Sequence, residues 1–599
     1  MPGHEKRRET MKNIIIPLVL ILALAVSLLA VCLRTPIRST YQAIVTDGVK
    51  RFEGGTLRYI EDVPFLSISG SYCDMGLQYG VLLKREVQEM MEQHLAGLKA
   101  SIFSRLPWYI RPFGGIILHF KLKSMEKTLP QKYLDELKGL ADETGVSYND
   151  ILFGAFGAEL LTFSCSSFVK KTPQGIIHGR SLDYQFPFLG RAPVVVEYAP
   201  KGKLKYTTVG FVGFPGALSG MNEEGITVSL DAAPMYKANS KRTIPICYQM
   251  REILEKACTI EEVDELLKGY QTEQGWLLIV GSLRDEMGVV YDIAGKEIVK
   301  NVMRRDHITV TNYFLDEELR HKYMTIGCAG VPGNIARWEI LEEKISKLAA
   351  SGVNQAIDAL GNADFYYYED VLVAGNVTTN NEGSLQSIVM CPREETIYFS
   401  STGGYSGWGR FMQYDVKTHE ASIYREADPR SKGKRFQELL DWWERILEIM
   451  VKNNQKEGVN FTRDVKEPTL FQLSFLVWAH DKNKSMLDDS KIMDKLDRAI
   501  EKYPDYSVPY LFKAKVLLEK EQFEGAINYA SQALETLINF PDTRREAYEI
   551  LAKAFKGLKN MEKAQYYAKQ CINLLEQYAI GKDEKKAEKE MRDILAWHK

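Results

Sequence analysis

The feature that most constrains the fold is a series of short β-branched runs between Cys165 and about residue 425. Gly, Asp or Pro bounds each run, which is the pattern typical of strands. Examples lie at 194–198, 225–230, 276–280, 289–291 and 307–310, and a final pair lies at 384–390 and 395–401. Helical stretches at 247–267 and 335–348 interrupt the runs. Because strands and helices do not alternate strictly, the sequence predicts layered α+β structure rather than repeated βαβ units.

Helical patterns flank this strand-rich region on both sides. Residues 75–98 and 133–143 carry apolar residues at three-four spacing, and the chain after about residue 430 is helical throughout. A chain of 599 residues is too long for one core. We therefore expect three parts, with boundaries at 1–40, 41–428 and 429–599.

The first part contains an uncharged apolar run from Ile14 to Leu33, long enough to cross a bilayer as a helix. Lys and Arg residues precede it, which favours a cytoplasmic N-terminus. We expect a single-pass membrane protein with its other domains outside the cytoplasm. A cleavable signal peptide is the alternative, although no small-x-small site follows Leu33.

The last part contains an internal repeat. Ala514, Ala526 and Ala530 recur as Ala552, Ala564 and Ala568, at an interval of 38 residues. Small residues at these spacings let paired helices pack closely, and the pattern resembles the tetratricopeptide repeat. We expect an all-α tetratricopeptide-like domain that could bind a peptide or protein partner. A generic bundle of helical hairpins is the alternative.

Charge and cysteine usage exclude some classes of function. The net charge is −2, with 77 basic and 79 acidic residues, whereas nucleic-acid binding usually needs a basic surplus. The eight cysteines form no CxxC pair and no metal-like spacing with histidine. We therefore expect no nucleic-acid partner, no metal ion and no cofactor.

Cys165 is the candidate nucleophile. It opens one arm of a predicted hairpin, and Arg180 and Asp183 lie on the other arm. Pairing of the two strands could bring the guanidinium and the carboxylate to the sulfur. A buried structural thiol is the alternative for Cys165, and a structural ion pair is the alternative for Arg180 and Asp183.

Several motifs in order support a catalytic interpretation. They are 64–76 with 78–80, 136–141, Cys165 with 178–183, 219–225 and 310–313. Together they resemble the N-terminal-nucleophile hydrolases that include the choloylglycine hydrolases, acid ceramidase and the penicillin acyltransferases. The resemblance implies a four-layer αββα sandwich and cleavage of the Ser164–Cys165 bond by the Cys165 sulfur. The interval from Cys165 to Arg180 is one residue shorter than is usual in this family, and a one-residue slip would turn side chains to the other face unless the turn at 172–175 absorbs it.

Cleavage at this bond would free an α-amine whose ordinary pKa is about 7.7–8.0, so that it could act as the general base for its own thiol. By the resemblance, Arg180 and Asp183 hold the amine and the substrate, and Asn312 stabilises the oxyanion. Asp231 stands where choloylglycine hydrolases carry Asn and ceramidase-like members carry Asp. Arg337 resembles the late arginine of the site.

Three alternatives concern individual residues. Arg320 could replace Arg337, and Asn312 could merely cap a loop. His178, on the same strand as Arg180, could instead form a Cys/His dyad with Cys165. Four aromatic residues could line a pocket for an acyl chain or could simply be core: Phe186, Phe188, Phe211 and Phe214.

The resulting functional hypothesis is a membrane-anchored cysteine amidohydrolase that cleaves a linear N-acyl amide of small-molecule size through a Cys165 thioester. An acyltransferase that passes the same acyl group to an amine is the nearest alternative. A surface scaffold with a decayed catalytic domain is the alternative from another class, although the joint presence of Cys165, Arg180, Asp183 and Asn312 argues against decay.

Overall fold

The computed structural model of the protein describes most of the chain after residue 40. The described residues are 41–104, 110–160, 163–184, 186–236, 242–326, 332–348, 352–363, 378–433, 436 and 489–597. The run from Ile14 to Leu33, with its predicted membrane anchor, lies outside them. Within the described ranges, no helix has the length and apolar character needed to cross a membrane.

Two β-sheets form the centre of the fold. The strands are β1 Ile44–Thr46, β2 Val49–Phe52, β3 Gly55–Ile60, β4 Val63–Gly70, β5 Ser164–Thr172, β6 Gly175–Asp183, β7 Pro193–Pro200, β8 Tyr206–Phe211, β9 Ser219–Asn222, β10 Ile226–Ala232, β11 Gly275–Ser282, β12 Met287–Ala294, β13 Glu297–Val302, β14 His307–Val310, β15 Ser384–Cys391, β16 Thr396–Ser401, β17 Phe411–Asp415 and β18 Glu420–Arg425. Among the described residues, the first sheet has the order β1-β2-β3-β4-β7-β8-β9-β10-β11-β12-β13. The second has the order β14-β5-β6-β15-β16-β17-β18. Strands β4 and β7 are parallel, whereas the sequence neighbours β5 and β6 are antiparallel.

Helices cover the outer faces of the sheets or follow them in the chain. They are α1 Tyr72–Leu82, α2 Lys84–Ser104, α3 Gly114–Glu126, α4 Gln131–Thr144, α5 Tyr148–Ala155, α6 Gly157–Leu160, α7 Pro187–Gly190, α8 Ile246–Leu254, α9 Ile260–Leu267, α10 Glu317–Tyr323, α11 Pro332–Ser346, α12 Val353–Leu360, α13 Asp489–Lys502, α14 Ser507–Glu519, α15 Phe523–Glu535, α16 Pro541–Gly557, α17 Met561–Leu575 and α18 Lys582–Leu595. Within the described residues, the strands and helices predicted from periodicity are confirmed, except that 75–98 and 247–267 are each divided into two helices. The predicted helical structure of 437–488 lies outside the described residues.

The packing has four layers. Helices α1, α2, α4, α5 and α8 share one apolar core with the outer face of the first sheet. The inner faces of the two sheets meet in two further clusters, of which one joins Val169 to Leu277 and the other joins Phe65 to Phe399. Helices α11 and α12 cover the second sheet through Leu341 and Leu360. The predicted α+β class and the αββα layering are therefore observed.

Alternation along β10 explains why polar groups lie between the sheets. Its apolar residues Ile226, Val228 and Leu230 join the helix-covered core. The intervening Thr227, Ser229 and Asp231 hydrogen bond to side chains of the second sheet. Because successive side chains of a strand point to opposite faces, this pattern lines the inner face with hydrogen-bonding groups.

Two motif glycines permit the close packing of α1 on α4. A Cβ added at Gly76 would lie 2.1 Å from the Glu136 carbonyl oxygen, and one at Gly139 would lie 3.0 Å from the Leu77 nitrogen. Backbone this close leaves no room for a side chain at Gly76. The sequence motifs at 64–80 and 136–141 therefore belong to one helix–helix contact.

Residues 489–597 are the described part of the C-terminal helices predicted at 429–599, and they are helical. The alanines of the repeat, Ala514, Ala526, Ala530, Ala552, Ala564 and Ala568, are all fully buried in one cluster. The region contacts the sheet domain, because Ala336 and Ile326 are buried among its helices. Its assignment to the tetratricopeptide family stays a prediction.

Candidate active site

The β5–β6 hairpin brings Cys165 and Arg180 to the same face of the second sheet. Its register is unbroken from Ser164 opposite Asp183 to Thr172 opposite Gly175, with Ser167 opposite Arg180. Residues directly opposite each other in an antiparallel pair share a face, and so do residues two apart on one strand. Cys165, Ser167 and Arg180 thus point toward the first sheet. The short interval between Cys165 and Arg180 does not turn Arg180 away.

Arg180 holds the sulfur of Cys165. Its Nη2 donates to Cys165 Sγ at 3.2 Å and to the Leu230 carbonyl oxygen at 2.7 Å. Its Nη1 donates to Ser219 Oγ at 3.1 Å. Burial raises the pKa of the Cys165 thiol well above its usual value, and the Arg180 guanidinium opposes this rise. The thiol is therefore protonated at neutral pH, and a nucleophilic role would require a base.

Asn312 holds the backbone nitrogen of Cys165. Its Oδ1 accepts from this N–H at 2.8 Å and from Arg337 Nη2 at 2.8 Å, while its Nδ2 donates to the Ala232 carbonyl oxygen at 2.7 Å. The nitrogen is the atom that cleavage of the Ser164–Cys165 bond would release as an amine.

Arg337 holds the carbonyl group of Cys165. Its Nη1 donates to this oxygen and to Ser166 Oγ at 3.0 Å, and its Nη2 also donates to Asn334 Oδ1 at 2.9 Å. The alternative residue Arg320 instead lies over the Tyr313 ring, at 5.6 Å from its centroid. The structure therefore brings Arg337, and not Arg320, to Cys165.

Asp183 lies on the opposite face of β6 from Arg180, because three positions separate the two residues along the strand. Its Oδ1 accepts from Ser384 Oγ at 2.6 Å, and its Oδ2 accepts from Asn381 Nδ2 at 3.1 Å and lies 3.8 Å from Arg337 Nη1. The expectation that its carboxylate faces the sulfur is therefore wrong. It lies directly across the hairpin from Ser164, beside the bond that would break.

Asp231 projects from β10 toward the hairpin. Its Oδ1 accepts from Ser167 Oγ at 2.7 Å and lies 3.8 Å from Arg180 Nε. Burial raises the pKa of Asp231 to about 7, against the opposing effect of Arg180. This carboxyl group thus changes charge near neutral pH, in contact with the residue that holds the sulfur.

His178 is bound to the first sheet rather than to Cys165. One ring nitrogen pairs with Thr227 Oγ1 and the other with Ser229 Oγ, both at 2.8 Å. Burial lowers the pKa of His178 to about 3, and the Arg180 charge adds to the effect. An imidazole with both nitrogens engaged and so low a pKa is a poor base, so the geometry gives the Cys/His dyad no support.

Comparison with known proteins identifies relatives of the sheet domain. A family profile described as acyl-coenzyme A:6-aminopenicillanic acid acyl-transferase matches residues 171–403. N-acylethanolamine-hydrolyzing acid amidase of Mus musculus is 29% identical over 199 residues, which cover 32% of this chain and 53% of the amidase. These matches support the resemblance of the sheet domain to the choloylglycine hydrolase and acid ceramidase group. The chain spans about half the length of this amidase.

Two further similarities have lower sequence identity. An uncharacterized protein of Archaeoglobus fulgidus is 23% identical over 400 residues, which cover 56% of this chain and 66% of the archaeal protein. A solved structure, that of an N-acylethanolamine-hydrolyzing acid amidase ortholog of Caenorhabditis elegans, is similar with a TM-score of 0.29 at 19% identity, covering 38% of this chain and 93% of the ortholog. With a TM-score this low, the similarity supports no inference about function.

The structure adds residues that sequence reasoning missed in and around the β5–β6 hairpin. Ser167 could have been found from the two-residue period of β5, and Asn334 from its helical spacing of three before Arg337. Asn381 and Ser384 hold Asp183 from the start of β15. Nothing in their local sequence signals this role, since the contact spans about two hundred residues of chain.

An apolar pocket lies beside the hairpin. Its lining residues are Gly157, Ala158, Phe163, Leu182, Tyr184, Leu189, Phe211, Phe214 and Leu218. Leu182 is the residue opposite Cys165, and the Leu218 carbonyl accepts from Arg180 Nη1 at 3.3 Å. Phe211 and Phe214 therefore line a pocket, and its use for an acyl chain stays a prediction. Phe186 and Phe188 do not line it, and Phe188 instead stacks on His94 with a centroid distance of 4.0 Å.

No group of three or more His, Cys, Asp or Glu side chains in the described part of the chain could hold a metal ion.

Proposed function

We propose that the chain is a self-processing cysteine amidohydrolase that cleaves a linear N-acyl amide through a thioester on Cys165. One observation carries the proposal. Three side chains from distant segments hold three different atoms of Cys165: Arg180 its sulfur, Asn312 its nitrogen and Arg337 its carbonyl oxygen. A buried structural thiol does not require three polar side chains around it, and a decayed site would not retain them.

The first reaction is cleavage of the Ser164–Cys165 bond. The Cys165 sulfur adds to the Ser164 carbonyl carbon, the thiol proton passes to the Cys165 nitrogen, and the carbon–nitrogen bond breaks. Water then hydrolyses the resulting thioester, so that Ser164 ends in a carboxylate and the thiol is restored. Asn312 Oδ1 supports the departing nitrogen, since it already accepts this N–H.

The mature reaction uses the released α-amine as the general base. This amine takes the thiol proton, the thiolate attacks the acyl carbonyl, and the amine portion of the substrate leaves with a proton. Water then releases the acyl group from the thioester. Asn312 Nδ2 serves as the oxyanion donor after it exchanges the Ala232 carbonyl for the substrate oxygen, and such a donor contributes about 10²–10³ in rate.

The remaining residues of the site position these groups. Arg180 orients the sulfur. The Asp231 carboxyl group lies 3.8 Å from Arg180 Nε and, when ionised, offsets its positive charge. Arg337 holds the Cys165 carbonyl, and Asp183 offsets the positive charge of Arg337 at the end of the hairpin. The charges of Arg180 and Arg337 are thus each paired with a carboxyl group.

The pocket beside the hairpin supports this substrate class. Its lining is apolar, and it adjoins Leu182 opposite the nucleophile. It suits the acyl part of an N-acyl amide, in agreement with the name of the mouse N-acylethanolamine-hydrolyzing acid amidase. The predicted membrane anchor at 14–33 would hold the enzyme at a bilayer with its catalytic and helical domains outside the cytoplasm.

Acyl transfer is the second candidate activity. The same thioester can pass its acyl group to an amine instead of water, and the matching family profile is named for an acyl-transferase. Product analysis with and without a competing amine separates the two activities.

The test is intact-mass measurement and N-terminal sequencing of the purified full-length chain and a Cys165→Ala variant. We expect a wild-type fragment that begins at Cys165, and a single uncut chain for the variant. Cys391→Ala, which removes another buried thiol, is the matched control and should process normally. A wild-type chain that stays whole yet hydrolyses an N-acylethanolamine would rule out the α-amine as the base. A chain that neither processes nor hydrolyses would favour the scaffold.

A further inference from the structure

Helix α11 carries Arg337 on one side and contacts the C-terminal helices on another. Asn334 and Arg337, three positions apart, share the side that faces the hairpin and hydrogen bond to each other. Ile335 and Ala336 lie between them in sequence and point away, because each helical residue is rotated by about 100° from the last. Ala336 is fully buried. It is buried by the C-terminal helices.

Apart from Ala336, the buried residues of this cluster come from α13 and α14, from the segment between these two helices, and from the segment between α15 and α16. Its buried members are Ile492, Leu496, Ala499, Tyr503, Tyr506, Phe512, Val516, Ile538 and Phe540. Leu496 and Tyr503 are completely shielded from solvent. The C-terminal helices therefore cover the outer face of α11 at Ile335 and Ala336, beside Arg337.

A second attachment lies just before α11 in the chain. Ile326 is fully buried within the alanine-rich core of the C-terminal region. The Ala579 N–H donates to the Met324 carbonyl oxygen at 3.0 Å, and Thr325 forms a parallel bridge with Ala579. The C-terminal region thus holds the chain both at 324–326 and at Ala336, immediately next to Arg337.

We propose that the C-terminal helices position Arg337 for catalysis, with Leu496 as a positioning residue that acts through Ala336 and helix α11. Resting on the proposed function, this gives the helical region a role in the reaction itself. Arg337 reaches the Cys165 carbonyl from a helix whose outer face depends on α13 and α14 for its packing. A displacement of about 1 Å at a reacting centre can cost about 10²-fold in rate, so a loosened α11 slows the reaction without unfolding the sheets.

The test compares three full-length variants with wild type in the rate of cleavage at Ser164–Cys165. Leu496→Ala leaves a cavity in the cluster that buries Ala336 and should slow cleavage by about 10-fold or more. Leu496→Met refills the space and should restore the rate to within about threefold of wild type. Leu267→Ala, a buried leucine of α9 outside both clusters that attach the C-terminal region, is the matched control and should stay within about threefold.

Each outcome decides the question. If Leu496→Ala cleaves at the wild-type rate, or if Leu267→Ala slows cleavage as much, the positioning role is wrong. If Leu496→Ala does not fold, Leu496→Val leaves a smaller cavity and should give an intermediate rate, whereas an unchanged rate overturns the role. A wild-type chain that never cleaves refutes the proposed function instead, and the positioning role with it.

Discussion

At the scale of single residues, the site is a set of buried charges around one cysteine. Arg180 and Arg337 are fully buried, and so are Asp231 and Asp183 within a few per cent. Burying a charge is costly unless it is paired, so the two guanidinium groups stand opposite the two carboxyl groups. Burial nevertheless raises the pKa of both carboxyl groups, which makes the site sensitive to pH.

Asp231 predicts a specific dependence of stability on pH. Its pKa is raised from 3.8 to about 7 in the folded chain. The folded state therefore keeps a proton that the unfolded chain releases, and stability falls as pH rises from about 4 to about 7. The loss is about 1.4 kcal/mol for each pH unit, or roughly 3 kcal/mol between pH 4.5 and 6.5. Asp231→Asn should remove this part of the slope.

The measurement is urea unfolding at both pH values, with and without Asp231→Asn, in a Cys165→Ala background that keeps the chain uncut. Other buried acids, such as Glu159 and Asp292, contribute slopes of the same sign, so only the difference between the two chains reports Asp231. Equal slopes in the two chains would contradict the raised pKa.

His178 predicts a negative result. Both its nitrogens are engaged by Thr227 and Ser229, so it holds the sheets together rather than activating Cys165. His178→Gln keeps a donor and an acceptor at this place, and we expect the cleavage rate to stay within about tenfold of wild type. Mass spectrometry of time points measures the rate. A loss as complete as that of Cys165→Ala would revive the Cys/His dyad.

At the scale of secondary-structure elements, the β5–β6 hairpin decides which groups can meet. Its nine paired positions continue without a bulge to a turn in which Gly175 has a φ of +105°, a conformation that favours glycine. The Thr172 hydroxyl closes the turn by accepting from the Gln174 N–H at 3.2 Å. A register this continuous keeps Cys165 and Arg180 on one face and Asp183 on the other.

Single-residue insertions test this register. An alanine inserted after Phe168, within β5, shifts one part of the strand to the opposite face and should abolish cleavage. A glycine inserted after Gln174 only lengthens the turn, since three-residue hairpin loops are common, and cleavage should persist. Intact mass measures both chains, and far-UV circular dichroism checks that both are folded. Equal cleavage in the two insertions would mean that the register is not what aligns the site.

At the scale of the whole molecule, the proposed cut divides the chain but not the fold. Strand β4 lies before the cut and β7 after it, and they pair in parallel over six residues in the middle of the first sheet. Glu136 and Arg251, from either side of the cut, form a fully buried pair with two hydrogen bonds of 2.9 and 2.8 Å. Both pieces also share the main apolar core. We expect them to remain one particle.

Cleaved protein should therefore elute as a complex of both fragments in native size-exclusion chromatography and separate only in denaturant. Glu136→Ala removes both hydrogen bonds of this pair and leaves the buried Arg251 with only the more distant Glu255 carboxylate, 4.0 Å from its Nε. Loss of one partner of a buried pair costs up to about 3–5 kcal/mol, so the variant should lower the urea concentration at which the fragments separate. Lys121→Ala is the matched control. It breaks an exposed pair with Glu273 that also bridges the cut, worth at most about 1 kcal/mol. Equal effects of the two substitutions would contradict this account.

The sequence by itself determined the kinds of elements and the hairpin, and it left open whether Arg180 shares a face with Cys165. Period-two alternation and turn chemistry act over a few residues, so they can be read locally. Only the tertiary structure decided that Asp183 faces Arg337 rather than the sulfur, that Asn312 and Arg337 meet Cys165 from 147 and 172 residues away, and that the C-terminal helices cover α11. Such meetings depend on which apolar faces of distant elements are buried against each other, and local patterns of sequence do not specify that choice.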